Sequence, residues 1–321
     1  MNTNPYTRKY GPPQMLKSYV CFADILGYSR FAVDALKSAS PTEFLQKLRK
    51  ALSTAYERIR ESSKIEFGGE AFYVVKVFTD NIVVGCPIDK RGFGQGEPEL
   101  ARIFRIFTEL QVGLAMEGFF LRGGIAYGDH YMDDDIVFGD ALLEAVSLNK
   151  SGGPPRISLA PSAVEMVRRH LGFYAEPRHA PQYEDLLEDA DRAIFLNYLG
   201  DAFHAFPESG VFFDLIEGHQ KSIINGLEKY KGEPGIRAKY EWAARYHNFV
   251  CSDFARRHPI PHDPDFEELY ALAAEEAQKL LEYVINIESF VTGPNRITLE
   301  PIQMHNSFFL LTQGMIENKG R

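Results

Sequence analysis

The sequence predicts an α+β fold: a ferredoxin-like βαββαβ layout through about residue 160, followed by a mainly helical region. Three observations carry this. Short β-branched and aromatic runs alternate with longer stretches whose apolar residues recur every three or four positions. Their order is strand, helix, helix, strand, strand, helix, strand, strand, helix, strand; with the two leading helices taken as one crossover, that order approaches βαββαβ. After about residue 210 long helical periodicities follow one another.

Each element has its own local reason. Residues 18–25 (SYVCFADI) form a short apolar run ending in Asp24, read as a buried strand. Gly27 follows, then a helical pattern over 29–38. In 41–61, Phe44, Leu48, Leu52, Tyr56 and Ile59 share one helical face. Residues 71–78 and 82–86 are strand-like, and Thr79, Asp80 and Asn81 between them are turn chemistry, so the pair reads as a hairpin with Asp80 at or near its tip. Residues 92–96 read as a flexible loop. Residues 99–116 are helical through Leu100, Ile103, Phe104, Phe107, Leu110 and Leu114, and 119–127 (FFLRGGIAY) is a strand. An acidic loop with Asp133, Asp134 and Asp135 leads to a short apolar 136–138, a helix over 139–149 and a strand at 156–159. Residues 1–16 read as a polar arm and 17–210 as the principal domain. Residues 211–321 read as a helical region (helices over 211–230, 236–257 and 265–289) with no recognisable chemistry of its own; 290–321 returns as one or two strands.

Composition narrows the class. The chain has 321 residues, 45% hydrophobic and 25% charged, ordinary for a globular protein with a core of normal size. Its net charge of −9 repels a phosphate backbone, which argues against nucleic acid as partner and means that a nucleotide site here would need cations. Cys21, Cys86 and Cys251 form no CxxC pair, as expected of free thiols in a reducing compartment. The N-terminal MNTNPYTRKYGPPQ has no apolar signal core, and the apolar stretch at 110–121 is broken by Glu117 and too short to span a bilayer. The expectation is a cytoplasmic protein with no membrane partner.

Two residues point to chemistry. Asp24 and Asp80 each end an apolar strand, where a carboxylate is otherwise costly to bury. Adjacent central strands would bring them together, and two carboxylates on neighbouring strands suit hard divalent cations. A plainer reading stands beside this one: Asp24 caps the following helix, and Asp80 and Asn81 are turn residues.

Four segments carry a family resemblance. FADILGYSRF (22–31) resembles the FxDIxGFS motif of class III nucleotide cyclases, and KVFTDNIVVG (76–85) resembles their second metal motif. LRGGIAYGD (121–129) looks like that family's RxGIxxGx strand, and FGDALLEAVSL (138–148) looks like its WGxxVNxAxRL helix. The four fall in order and cover 18–160, about half the chain. The resemblance implies a class III cyclase domain in which Asp24 and Asp80 ligate two divalent ions, Mn²⁺ or Mg²⁺, with the backbone carbonyl of Ile25 as a further ligand. Backbone amides of Leu26, Gly27, Tyr28 and Ser29, at a helix start, would meet the phosphates. Lys76 stands where purine cyclases place a base-contacting residue; its plainer reading is a lysine reaching from a strand to solvent. Class III sites lie between two catalytic domains, so the resemblance also implies a homodimer with composite sites.

The departures shape the expected function. The family's ribose-orienting Asn falls at Leu143, with Glu144 beside it, and its transition-state Arg at Ser147, with Lys150 or Arg156 as substitutes to consider. Its purine-reading Asp falls near Asp135 or Ile136. These losses, with the late KYEWAARYHN (239–248), look most like the bacterial pyrimidine cyclases of Pycsar antiphage defence. That implies UTP or CTP as substrate, cUMP or cCMP as product, and a separate effector protein that responds to it. The competing expectations are an adenylate or guanylate cyclase and a cyclase-like module that binds a nucleotide without reacting. Arg122 reads as bonding neighbouring carbonyls or a carboxylate, with a phosphate contact as alternative. Asp133, Asp134 and Asp135 read as a solvated loop, and His247, Trp242, Tyr240 and Tyr246 as packing residues.

Overall fold

The strand β1 (Leu16–Ile25) is buried on both faces. Tyr19, Cys21, Ala23 and Ile25 enter the main core, while Val20 and Phe22 enter a second, smaller cluster on the opposite face. This alternation follows from the pleat, and it puts Asp24, in phase with Val20 and Phe22, on the second face. The computed structural model describes residues 4–7, 12–37, 41–65, 72–88, 94–149, 152–176, 180, 182–200, 209–257 and 275–287.

From β1 the chain passes through α1 (Tyr28–Lys37) and α2 (Pro41–Ile65) to a hairpin of β2 (Val74–Phe78) and β3 (Asn81–Pro87). It then crosses back through α3 (Glu97–Met116) to β4 (Leu121–Met132). These strands lie in the order β2-β3-β1-β4, with β1 antiparallel to both neighbours. That is the ferredoxin-like arrangement, and the fold is α+β. Leu48 and Ala51 of α2 and the apolar stripe of α3 (Leu100, Ile103, Phe104, Phe107, Leu110, Leu114) cover one face. Each buried Leu, Ile or Phe of this set contributes roughly 1.5–3 kcal/mol.

The short strand β5 (Val137–Gly139) folds back on β4, and α4 (Asp140–Asn149) covers the second face through Ala141 and Ala145. Gly124 makes this possible: a Cβ there would lie 2.6 Å from the Ala145 carbonyl oxygen. The sheet then extends through β6 (Ile157–Leu159), parallel to β4, α5 (Pro161–Leu171), α6 (Gln182–Asp185), β7 (Leu186–Glu188) and β8 (Ile194–Leu196), giving the order β2-β3-β1-β4-β6-β8-β7. The sequence reading has no counterpart for α5, α6, β7 and β8. These strands are three residues each, too short for a period-2 pattern to register.

The long helices α7 (Ser209–Lys229) and α8 (Pro234–Arg257) share one core with the sheet. Ile216, Ile223, Ala243, Tyr246 and Cys251 pack with Leu26, Phe120 and Phe195. Tyr240 meets Phe120 edge-on at 5.7 Å. Arg156 is buried; its guanidinium bonds Asp189 and Asp191 and lies 5.8 Å from the Phe195 ring and 6.0 Å from the Trp242 ring. The Trp242 indole donates to the same Asp189 at 2.7 Å. A charge buried this deeply is tolerable only when paired and hydrogen-bonded, so Arg156 is committed to joining α8 to the sheet.

Two expectations change here. The N-terminal arm is not merely polar: Tyr6 is buried, its hydroxyl donates to Ser18 at 3.0 Å, and Asn4 donates to the Met132 carbonyl at 3.0 Å. The late helix does not run through 289: residues 280–283 form a 3₁₀ turn, and Val284 is extended at φ −63°, ψ 129°. The expected strands of 290–321 lie outside the described residues, as does all of 258–274. Cys21, Cys86 and Cys251 are free and buried. No helix among the described residues is long and apolar enough to cross a membrane.

Between α7 and α8 runs a buried polar chain. Tyr198 Oη and His219 Nε2 are 2.8 Å apart, His219 Nδ1 and His247 Nδ1 2.9 Å, and His247 Nε2 and the Tyr283 carbonyl 3.0 Å. A carbonyl only accepts, so His247 Nε2 carries a proton. Its Nδ1 therefore accepts from His219 Nδ1–H, and His219 Nε2 accepts from Tyr198. A further proton on His247 would set its Nδ1–H against that of His219, and one on His219 would take the Nε2 lone pair that accepts from Tyr198. Burial pushes the His247 pKa down to about 4; burial first, then the neighbouring His247, push His219 well below its ordinary value. The unfolded chain protonates these rings near pH 6.5, so it binds more protons than the native state below that pH. The stability of the neutral pair is complete above about pH 6.5 and is lost as pH falls towards 4, a difference of about 3 kcal/mol for His247 alone. Melting measured from pH 7.5 to 4.5 is expected to show this slope, and His247→Gln to flatten it; identical slopes would contradict the assignment.

Candidate active site

Strand register brings the two aspartates to one edge of the sheet. Asp24 lies opposite Asn81 of β3 on one side and Arg122 of β4 on the other. The amide of Ile25 donates to the Asp80 carbonyl at 3.3 Å, tying the end of β1 to the hairpin turn.

That turn is strained. Thr79 adopts φ +58°, a left-handed conformation costly for a β-branched residue. Local hydrogen bonds oppose the strain: the Thr79 hydroxyl lies 2.6 Å from the Phe78 carbonyl and 2.8 Å from Asp80 Oδ1, and Asn81 Nδ2 lies 3.4 Å from the same oxygen. The Asp80 carboxylate is thereby oriented by its own turn.

Asp24 is engaged by a fork. Arg122 Nε donates to Oδ1 at 2.8 Å and Nη2 to Oδ2 at 3.1 Å, while Asn149 Nδ2 donates to Oδ2 at 2.9 Å. Two parallel charge-assisted bonds are among the stronger polar contacts a protein makes. The Asp24 bond is the main cause raising the Arg122 pKa, and Asp80 adds to it, so both carboxylates act on one guanidinium. Asn149 reaches Asp24 because α4 lies so close over Gly124. Nothing in the spacing of α4 marks Asn149 in the sequence, since its role depends on that approach.

Beside the pair, β1 turns into α1 through Gly27 at φ +78°, a conformation glycine adopts without a steric penalty. The Gly27 carbonyl accepts from the amides of Arg30 and Phe31 at 3.0 Å. The Leu26 amide donates to the Phe120 carbonyl at 2.8 Å, so it is already used. The amides of Gly27, Tyr28 and Ser29 precede the first intrahelical bond and have no backbone acceptor among the described residues, at the positive end of a helix.

The other expected positions are distributed as follows. Lys76 lies on β2 opposite Val83, which lies opposite Phe22, so it shares the face of Asp24 two strands away. Asp133 is held below the usual carboxylate range first by the Tyr131 hydroxyl, then by the Ile136 and Asp135 amides, with Lys76 a lesser contributor. It thus caps its own turn rather than standing free. Leu143 and Ser147 are exposed on α4. Glu144 accepts from the Ser162 hydroxyl at 2.5 Å. Arg156 cannot stand in for a transition-state arginine, because Asp189 and Asp191 hold it. Lys150 lies outside the described residues.

Among the described residues no three His, Cys, Asp or Glu side chains cluster as a ready-made cage. What the edge offers is two carboxylates and backbone oxygens. That donor set fits a small hard cation, which keeps several waters and takes one or two carboxylates plus substrate phosphates. The fit requires Arg122 to give up at least part of its fork on Asp24.

The two aspartates should therefore differ in stability. Asp24→Asn breaks a charge-assisted pair at a half-buried position and is expected to cost about 1.5–3 kcal/mol in urea unfolding. Asp80→Asn, in a turn that supplies its own bonds, is expected to cost less than about 1 kcal/mol. Equal losses would show that Arg122 does not depend on Asp24.

No protein-family model matches the sequence, and no curated protein matches it. Among solved structures the chain is similar to the guanylyl cyclase Cya2, at 12% identity and TM-score 0.35, over 48% of this chain and 79% of that one. It is also similar to a class III adenylyl cyclase-like ATP-binding protein from Pseudomonas aeruginosa, at 12% identity and TM-score 0.34, over 51% of this chain and 39% of that one. The chain thus spans under half the length of the second. At such scores neither likeness bears on activity, which has to be read from the residues themselves.

Proposed function

We propose that this chain is a metal-dependent nucleotidyl cyclase that converts UTP or CTP to the 3′,5′-cyclic nucleotide and pyrophosphate, a second messenger of antiphage defence read by a separate effector protein. The observation that carries the reading is the meeting of Asp24 and Asp80 at one sheet edge, beside the turn through Gly27, Tyr28 and Ser29. In the reaction the ribose 3′-oxygen forms a bond to the α-phosphorus. The bond from that phosphorus to the bridging oxygen breaks, pyrophosphate departs with the electron pair, and the hydroxyl proton passes to solvent or to a basic oxygen nearby. Asp24 and Asp80, with the Ile25 carbonyl, would hold two divalent cations, Mg²⁺ or Mn²⁺, whose Lewis acidity offsets phosphate charge and acidifies the attacking hydroxyl. The amides of Gly27, Tyr28 and Ser29 would orient the terminal phosphates, as helix N-termini do for anions. Lys76, on the same face, would meet the base.

Pyrimidine preference, with UTP ahead of CTP, rests on the motif pattern of 22–29, 76–83, 138–145 and 239–248. A homodimer with composite sites is favoured by large apolar side chains left bare on the surface. Phe78 of the hairpin is 77% exposed, Phe138 of β5 65% and Leu143 of α4 72%. Phe78 lies at the aspartate end of the sheet and Phe138, opposite Tyr131, towards the other end; bare side chains of this kind suit an interaction surface, and a second copy of the same chain is the simplest occupant.

Incubation of purified protein with Mn²⁺ and each of the four triphosphates, followed by mass analysis, tests the activity. The expected product is cUMP or cCMP, and Asp80→Asn is expected to lower kcat by about a hundredfold or more, the scale of losing one transition-state contact. Formation of cAMP or cGMP alone would favour a purine cyclase; nucleotide binding without product would favour a non-reacting module. Separately, Phe138→Glu combined with Leu143→Glu is expected to convert a dimer to a monomer in light scattering and to abolish turnover. A fully active dimer would contradict the composite site.

A further inference from the structure

Helix α8 runs past the aspartate edge. Two anchors fix its path: Tyr240 packs edge-on against Phe120, two residues before Arg122, and Trp242 bonds Asp189, the partner of Arg156. The Arg156 carbonyl in turn accepts from the Gly123 amide at 3.1 Å, next to Arg122. A salt bridge of 3.1 Å between Arg30 of α1 and Glu233, just before α8, ties the start of that helix to the turn that opens α1.

Between these anchors stands Lys239. It is half-buried and has no hydrogen-bond or ion-pair partner among the described residues. Burial lowers its pKa first, then the Arg122 charge, while the Asp24 carboxylate acts the other way. Its neighbour Tyr240 sits on Phe120, two residues before Arg122, so α8 carries Lys239 past the aspartate end of the sheet, where Arg122 and Asp24 are the charges that act on it. A lysine normally extends its ammonium into water. Here a rigid helix holds one beside a carboxylate already satisfied by another cation, where it repels Arg122 and gains no hydrogen bond in return. Such a position makes sense if an anion joins the site.

We propose that Lys239 binds the triphosphate of the substrate, so that α8 completes the catalytic site from within the same chain. This rests on the cyclase reading and deepens it. Two aspartates and two divalent ions leave part of a triphosphate's charge unmatched, and that charge shifts onto the departing pyrophosphate during transfer. Lys239 stands on the Asp24 side of the edge and meets this charge as a point cation. Arg122, released from part of its fork as cations take Asp24, turns a second positive group to the same phosphates. The helical region is then part of the enzyme rather than an attachment to it.

Lys239→Gln and Lys239→Arg in the full chain test the proposal, with thermal melting to verify that both fold. Two readouts are used: calorimetric titration with inorganic pyrophosphate in Mn²⁺, and steady-state cyclisation of UTP and CTP. Lys239→Gln is expected to weaken pyrophosphate binding about tenfold, raise KM and lower kcat, and Lys239→Arg to restore most of each, as for removal and replacement of one charge-assisted contact. Pyrophosphate affinity unchanged in Lys239→Gln, or no pyrophosphate binding by the wild type, would overturn the role of Lys239. Should the wild type cyclise no triphosphate, the cyclase reading fails separately, and the pyrophosphate titration still decides whether Lys239 meets a phosphate anion.

Discussion

The antiparallel pairing of β1 between β3 and β4 is the constraint on which the site depends. Its register sets Asp24 opposite Asn81 and Arg122 at once. A slip of one residue would turn Asp24 into the main core and expose Ala23 in its place. The register is well specified because both faces of β1 are buried: Cys21 and Ala23 fit under α3, while Val20 and Phe22 fit under α4. The apolar residues that stabilise the strand are thus also the ones that aim the carboxylate.

Around that strand the polar groups are balanced at some cost. Asp24 and Asp80 share the field of Arg122, and Lys239 adds a second positive charge nearby. Thr79 carries a left-handed conformation next to Asp80. A left-handed turn residue and two neighbouring positive charges thus coincide at one end of an otherwise regular sheet.

The helices α7 and α8 have two connections to this edge. One is apolar, through Phe120, Tyr240 and Phe195; the other is the buried Arg156, Asp189 and Trp242 cluster. The first supplies most of the stabilisation and the second fixes orientation, since a buried ion pair adds little net stability but tolerates little displacement. Acid pH acts on the same region from its interior, through the neutral His219 and His247 pair.

By itself the sequence determined the sequential pattern of elements through β6, the hairpin turn at Asp80, and the candidacy of Asp24 and Asp80. Each of these is written locally, as a periodicity, a turn residue or a carboxylate ending an apolar run. It also marked Arg122 as a carboxylate or carbonyl partner. It did not contain the commitment of Arg156 to Asp189 and Asp191, the reach of Asn149 to Asp24, the burial of Tyr6, or the position of Lys239. Those depend on how close α4 approaches Gly124 and on where α8 crosses the sheet end. Such contacts join residues far apart in the chain, and only the packed arrangement brings their charges within reach of one another.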